Sequence, residues 1–371
     1  MQKKYTSLGL MSGTSGDGVD ASIINSNGVN EFESIKDKFY EYDNNTFREI
    51  HEIKEKINSK YDLIKLISEL NELERKITLF HAKIVNELAE ENKEWFVGFH
   101  GQTIYHNSLE KISKQLGDAK LLHQLTKNKI FFNFRKNDIL NGGEGAPLTP
   151  LYHRLIVSKK KIDLPVCVLN IGGISNITII KKGEGYDDFS SKDIGPGNCL
   201  IDSWIRKNTN KKFDIDGNIS MSGKKNEIIL EQAQELYANR LNKNKLSFDV
   251  GDFDISFARG LSLQDGAATL TEFTANIISE ALTENLSQHN VKKILLCGGG
   301  RKNLELIKKI KKNLSKYIQL ELIDEYKIDG DFIESQAFAF FAIRSHLNLP
   351  ISFPNTTGCN KACTGGEFVE N

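Results

Sequence analysis

Residues 5–8 and 21–24 are short runs of strand character. Between them lie Gly9, Gly13, Gly16 and Gly18, interleaved with Ser12, Thr14 and Ser15. Strand, glycine- and hydroxyl-rich turn, strand predicts a hairpin whose tip exposes backbone N–H groups. Residues 33–42 predict a third strand beside it. From 46 to about 92 the period lengthens, with Ile50, Ile53 and Ile57, then Leu66, Leu70, Leu73, Ile77 and Phe80, then Ile84 and Leu88. Spacings of three and four predict helices with a core-facing stripe. Residues 95–99 read as a short buried strand ending in a turn at His100-Gly101-Gln102-Thr103. Asp118 predicts an N-cap for a helix to about 128, followed by a strand over 130–134. Residues 141–147 are loop by composition, and Pro147 suits the first turn of the next helix.

The second half repeats the theme. Strands over 166–170 and 176–180 flank Ile171-Gly172-Gly173. A strand over 189–194 leads into Gly195-Pro196-Gly197 and a helix over 198–207. Helices near 226–240 and 262–286 precede a buried strand at 293–297, the run Gly298-Gly299-Gly300 and a helix from about Asn303. A strand at about 319–323 and a helix over 331–346 complete the pattern. Hairpin-linked strands followed by helices thus occur once in each half, with glycine turns in comparable places. This predicts an α/β chain of two duplicated domains facing each other across a cleft. The hinge is expected near 134–146: a first domain of 1–134 completed by 335–371, and a second of 135–334.

Composition narrows the class. The 371 residues are 39% apolar and 26% charged, and 49 Lys+Arg balance 49 Asp+Glu. Such a chain is an ordinary globular protein with length for about two domains. Its charge balance points to neither nucleic acid nor an anionic membrane. No apolar run approaches the ~18 residues of a membrane span. Lys3 and Lys4 are followed by no apolar stretch, so a signal peptide is not expected. Five cysteines without repeated spacing read as reduced cytosolic thiols. Cys359 and Cys363 form a close pair, yet no other Cys or His stands beside them to complete a metal site.

Three glycine turns carry candidate chemistry. At Gly13-Thr14-Ser15-Gly16-Asp17-Gly18-Val19-Asp20 the glycines allow close backbone approach and consecutive N–H groups can cradle phosphate. Asp17 and Asp20 are placed to hold a hydrated Mg²⁺ there; an ordinary tight hairpin is the other reading. Asp193-Ile194-Gly195-Pro196-Gly197-Asn198 joins a strand end to a helix N-terminus, whose unpaired N–H groups favour an anion. Asp193 is either a general base at the strand tip or a cap in a Pro-Gly turn. Cys297-Gly298-Gly299-Gly300 followed by Asn303 is either a flat platform for adenine or ribose, with Asn303 capping the helix, or a flexible turn. There is no Walker A, since Gly217 to Gly223-Lys224-Lys225 has one residue too many and lacks the Ser/Thr. There is no dinucleotide fingerprint either.

Glycine turns placed directly after strands in both halves match the phosphate and adenosine elements of the actin, sugar kinase and heat-shock chaperone ATPase superfold. Within it the chain resembles the anhydro-N-acetylmuramic acid kinase family over essentially its whole length. The resemblance rests on Gly9 to Asp20, Phe99 to Thr103 with His106, Asn133-Phe134-Arg135 with Asp138, Gly142 to Leu148, Asn170 to Ile177, Asp193 to Asn198, Asp214 to Gly217, Cys297 to Gly300 and Glu334 to Phe338. It departs at Gly16, where the family usually has a larger residue, at Asn133 for Asp and at Glu144 for Gln.

The resemblance implies two actin-like ATPase (ribonuclease H-like) domains and a kinase that opens the 1,6-anhydro ring and phosphorylates O6. Its substrates would be 1,6-anhydro-N-acetylmuramic acid, ATP with Mg²⁺, and water. It implies Asp193 as base and Glu334 as a second acid, unless Glu334 is only a helix-start carboxylate. Gly13 to Asp20, Gly172, Gly173, Gly195, Gly197, Asn198, Gly298 to Gly300 and Asn303 would meet ATP. His100, Gln102, Thr103, Arg135 and Asn176 would meet sugar; structural roles for His100 and Arg135 stay open. A cytoplasmic homodimer in peptidoglycan recycling is the implied setting. The competing readings are a kinase for another anhydro sugar such as levoglucosan, and a non-catalytic nucleotide-binding regulator.

Overall fold

A computed structural model of the chain describes residues 3–88, 95–183, 185–240 and 246–370. The chain separates into two compact units, residues 1–162 with 331–371, and residues 163–330. The boundary thus falls later than 134/135. Residues 135–162 pack with the first unit, where the Tyr152 ring lies tilted against Phe32 (5.1 Å) and Phe340 (5.6 Å).

In the first unit β1 (Tyr5–Ser12) and β2 (Gly18–Ser26) pair antiparallel with Met11 opposite Asp20, and β3 (Phe32–Glu41) adds to β2. Both hairpin strands therefore run into the glycine motif, leaving a tip of only residues 13–17. The helical stretch breaks into α1 (Asn44–Lys56), α2 (Lys60–Lys65) and α3 (Ile67–Leu88). Ile57 turns extended, and Ser59 starts a new turn by donating its N–H to Asp62 Oδ2 at 3.0 Å. Residues 89–92 of the expected helix lie outside the described residues. β4 (Phe96–Asn107) runs parallel to β1 and does not stop at Phe99. What looked like a turn is a register shift at His100–Gly101. Gly101 has φ 77°, and a Cβ there would meet Leu116 O at 2.5 Å. That carbonyl belongs to β5 (Ile112–Leu116), a strand the sequence pattern did not predict. α4 (Ala119–Thr126) is capped by Asp118 as expected, and β6 (Lys129–Phe132) follows. Next come α5 (Lys136–Leu140), also unpredicted, and α6 (Pro150–Lys159). Pro150, not Pro147, opens α6; Pro147 follows a cis peptide in the preceding loop.

The second unit holds β7 (Val166–Ile171), β8 (Ile174–Ile180), β9 (Phe189–Pro196), α7 (Cys199–Asn208), α8 (Asn218–Ser222), α9 (Glu227–Arg240), α10 (Leu263–His289), β10 (Lys293–Cys297), α11 (Leu304–Asn313) and β11 (Gln319–Leu322). The chain then returns to the first unit through α12 (Ile333–His346), β12 (Pro350–Ser352), α13 (Pro354–Thr357), β13 (Cys363–Thr364) and β14 (Glu367–Val369). The elements after α12 were not anticipated. β14 closes the sheet edge beside β6.

The duplication is explicit in the sheets. The first has the order β14-β6-β4-β1-β2-β3, with β5 on β4; the second has β11-β10-β7-β8-β9. Setting β14 and β5 aside, both read 3-2-1-4-5 with the second strand antiparallel. That is the ribonuclease H-like sheet of actin-type ATPase domains. One face of the first sheet, with Leu8, Leu10, Val19, Ala21 and Ile23, joins Ile50, Ile53, Ile77 and Val85 in a core. α12, apolar around most of its circumference, covers the other face at backbone contact. A Cβ on Gly9 would lie 1.9 Å from Ser335 O, and one on Gly98 2.1 Å from Phe338 O. Only glycine admits such an approach.

Candidate active site

The tip of the first hairpin is anchored carbonyl by carbonyl. Gly13 O accepts from Gln102 Nε2 (2.8 Å) and Gly16 N (3.2 Å), and Thr14 O from Lys54 Nζ (2.8 Å). Ser15 O accepts from His51 Nε2 (2.9 Å), and Asp17 O from Tyr42 N (2.9 Å). Ser15 Oγ donates to Asp17 Oδ1 at 2.5 Å. Just before the tip, the buried Ser12 Oγ stands 3.0 Å from Tyr42 OH and 3.2 Å from His81 Nε2. Burial pushes His81 down to about 4, so its ring is neutral at pH 7. Gln102 is fully buried and its Oε1 has no hydrogen-bond partner. A buried acceptor left open beside a glycine turn is what a bound hydroxyl or water would satisfy. Val19 differs from expectation: it is a core residue at 0% exposure, so its side chain meets no ligand. Asp20 lies on the opposite strand face from Val19, by the alternation of β2.

On β4 and α5 the expected sugar-side residues meet. Arg135 donates to His100 Nε2 (3.0 Å) and to Gly145 O (2.7 Å), and His100 Nδ1 lies 2.7 Å from Gly101 O. With Arg135 donating to Nε2, the imidazole proton is on Nδ1 and points at Gly101 O. Burial first, and Arg135 second, holds His100 well below its ordinary value, so it is neutral. Asp138 secures the same loop, its Oδ2 accepting Gly145 N at 2.8 Å and its Oδ1 accepting Thr357 Oγ1 at 2.5 Å. Thr103, nearly buried, faces Gln115 across the β4–β5 pair. Cys359, Cys363 and Asp138 bring three potential ligand atoms within 4.8 Å of one another. Burial raises the Cys359 thiol to about 12, and the Cys363 thiol donates to Lys361 O at 3.1 Å. These are protonated, packed thiols, and Asp138 is already committed to two donors.

In the second unit Asp193 sits on β9 directly opposite Asn176, next to a bulge between Ser175 and Asn176. Its backbone N–H donates to Leu246 O and its Oδ2 accepts Phe248 N, both at 2.8 Å. Asn176 is buried with an unsatisfied Oδ1, so the pair presents a fixed carboxylate and an open acceptor together. Bulges often re-aim side chains at active sites. The helix behind is less available than its sequence suggests. Gly197 N and Cys199 N donate to Gly173 O at 2.9 and 3.2 Å, and Asn198 N donates to Gly172 O at 2.8 Å. The first N–H groups at the α7 start are spent locking the two glycine motifs together, not left for an anion. Gly195 and Pro196 belong to the strand, where a turn was expected.

Gly298 has φ 78°, and a Cβ on it would lie 2.3 Å from Asn170 Oδ1; one on Gly300 would lie 2.2 Å from Ile171 Cγ2. Both glycines serve close packing against β7. Gly299 is exposed with nothing within 4 Å, and is the one open to a planar ligand. Asn303 caps α11 by accepting Leu306 N at 3.0 Å. Glu334 lies in the first turn of α12, half-buried, in the first unit. Its neighbours Ser335 and Gln336 bond Ser22 Oγ (2.7 Å) and Asp37 (3.1 Å). Sequence reasoning missed His51, Lys54 and the Phe248 amide. The first two act on backbone carbonyls and carry no motif of their own.

Two sheets of one topology, each presenting a glycine turn after its first strand, define the chain as a member of the actin-type ATPase and sugar kinase class. The sequence profile of the family described as anhydro-N-acetylmuramic acid kinase matches residues 5–370. A Pelagibacter ubique anhydro-N-acetylmuramic acid kinase is 53% identical, covering 100% of both chains. One from Zymomonas mobilis is 35% identical over 97% of this chain and 98% of its own. Among solved structures, the Clostridium difficile activator of 2-hydroxyisocaproyl-CoA dehydratase with bound ADPNP is 13% identical, covering 92% of this chain and 96% of that one, with a TM-score of 0.43. The fold is read from strand order, not from that likeness. The chain belongs to the anhydro-N-acetylmuramic acid kinase family.

Proposed function

We propose that the chain uses ATP to open the 1,6-anhydro ring of 1,6-anhydro-N-acetylmuramic acid and phosphorylate O6, giving N-acetylmuramic acid 6-phosphate. The observation that carries this is the buried Asp193, its carboxylate fixed by the Phe248 amide and paired across the strands with the open Asn176 acceptor. The Asp193 carboxylate takes a proton from water; the water oxygen bonds to the anomeric carbon as the C1–O6 bond breaks. O6 then bonds to the γ-phosphorus and ADP leaves. One carboxylate activating water joins glycosidase-like inversion to phosphoryl transfer.

The tip at Gly13 to Gly18 is assigned the phosphates, since its carbonyls are tied back and its outward amides fit an anion. Asp17 and Asp20 suit Mg²⁺ held through water, which would neutralise charge developing on the transferred phosphoryl. Gly299 is assigned the adenosine. Gln102 and Asn176 offer open acceptors to sugar hydroxyl or amide protons. Arg135, bound to a neutral imidazole and a carbonyl, is assigned the lactyl carboxylate. Glu334 is assigned a second acidic role on the sugar. The setting is peptidoglycan recycling by a cytoplasmic homodimer.

The test is incubation with the anhydro sugar, ATP and Mg²⁺ in heavy-oxygen water, with Asp193→Asn as control. One heavy oxygen at the anomeric centre of a phosphorylated product, lost in the variant, is expected. Turnover only with levoglucosan, or ATP binding without turnover of any anhydro sugar, would overturn the reading.

A further inference from the structure

Four of the five tip residues from Gly13 to Asp17 have their carbonyls held, and two of the holders, His51 and Lys54, come from one helix. In a trans peptide, a carbonyl and the following N–H point in opposite directions. Holding Gly13 O and Thr14 O therefore turns the N–H groups of Thr14 and Ser15 away from Gln102 and Lys54. Gly16 N is the exception, folded back onto Gly13 O at 3.2 Å. Were either peptide to flip, a carbonyl oxygen would replace an N–H on the ligand side and repel phosphate. The flip is cheap in principle, because a glycine- and hydroxyl-rich turn has little side-chain packing to resist it.

The holders are themselves well fixed. His51 and Lys54 are three residues apart and so share one face of α1. Asp43 caps that helix, accepting Asn45 N and Thr46 N at 3.0 Å each, and Ile50 and Ile53 anchor it in the core at 0% and 4% exposure. The His51 ring also packs 4.5 Å from that of Phe47. An ammonium on Thr14 O further polarises that peptide, making the N–H of Ser15 a stronger donor.

We propose that Lys54 is a positioning residue for the nucleotide: from α1 it clamps the Thr14 carbonyl so that the Ser15 amide stays turned toward the ATP phosphates, while His51, on the Ser15 carbonyl, supports the turn in which Gly16 N folds back onto Gly13 O. This rests on the reading of the tip as the phosphate site. Neither side chain need touch the nucleotide; both act through the backbone.

The experiment compares wild type with Lys54→Met, Lys54→Arg and His51→Phe, the last keeping an aromatic ring beside Phe47. MgATP and adenosine binding are measured calorimetrically without sugar, alongside melting temperature and the KM values for MgATP and sugar. A charge-assisted hydrogen bond is worth enough to predict about tenfold weaker MgATP binding for Lys54→Met, and about threefold for His51→Phe. Adenosine binding, sugar KM and melting temperature should stay at wild-type values, and Lys54→Arg should restore MgATP affinity. Unchanged MgATP affinity in Lys54→Met would overturn the clamp, as would equal loss for adenosine and MgATP. If Lys54→Met melts early, Lys54→Leu decides between the same outcomes. A wild type that binds MgATP but phosphorylates no anhydro sugar would sink the kinase reading alone, and leave the clamp to stand or fall on the binding data.

Discussion

Lowering the pH from 7.5 to 5 should destabilise this protein through its buried histidines. His81 and His153 are held down to about 4 and about 3 by burial, and His100 lies well below its ordinary value through burial and Arg135. All three are neutral in the fold, while in the unfolded chain each takes up a proton near pH 6.5. The unfolded state binds more protons below 6.5, so stability present above that pH is lost as pH falls. Once the folded value lies under the working pH, the loss depends only on the distance from 6.5. At pH 5 that is ~1.5 units, about 2 kcal/mol each for His81 and His153 and about 4 kcal/mol for the two, with His100 acting in the same direction. Against a typical total of about 5–15 kcal/mol the loss is large. Urea denaturation at half-unit steps should show midpoints flat above pH 7 and falling steeply from 6.5 to 5. His81→Gln should lower stability at pH 7.5 yet make the acid slope shallower. Midpoints unchanged between pH 7.5 and 5 would refute the neutral, buried assignment.

Two other substitutions test the backbone contacts. Gly9→Ala or Gly98→Ala puts a methyl 1.9 or 2.1 Å from a carbonyl of α12, which must move off the sheet; a loss of about 3 kcal/mol is expected by chemical denaturation. Gly197→Ala would place its Cβ 2.2 Å from Gly172 O and pry apart the lock between the β7–β8 tip and α7. Turnover should fall about a hundredfold, as for an ångström-scale misplacement, with a stability loss of only about 1–3 kcal/mol.

Local chemistry was the legible part. Asp118 and Asn303 cap helices where their residue types predicted, and the two glycine hairpins fall between strands as read. Long-range consequences were not legible. Gly101 resembles a turn residue in sequence, but its left-handed φ accompanies the register shift of β4 on β1 and lets it pass close to Leu116 O of β5, whose run Ile-Ser-Lys-Gln-Leu gives no strand pattern. The amides at the start of α7 look open to an anion until Gly172 and Gly173 are seen to occupy them. Val19 sits inside a phosphate motif yet faces the core, because β2 reaches further toward the tip than its apolar run suggests. Asp193 and Asn176 were each singled out, but their pairing depends on a one-residue bulge that no spacing rule predicts.

Gly16 sets how closely α1 approaches the tip. Its φ is 64°, and a Cβ there would lie 2.9 Å from Ile50 Cγ2. Ile50 is completely buried in the core of the first unit, on the same helix that supplies His51 and Lys54. The absence of a side chain at position 16 lets α1 come up under the tip, and that proximity brings Lys54 and His51 to the Thr14 and Ser15 carbonyls. A larger residue at position 16 should therefore act on nucleotide binding through α1. Gly16→Leu alone is expected to cost about 1–3 kcal/mol, from overpacking and left-handed strain together, and to weaken MgATP. Ile50→Ala alone should cost about 2–5 kcal/mol as a cavity. If the two sites share one space, the double variant should be more stable than the sum of the single losses by at least about 0.5 kcal/mol, the usual mark of coupling. Strict additivity, with MgATP affinity untouched in Gly16→Leu, would show that the tip and α1 are set independently.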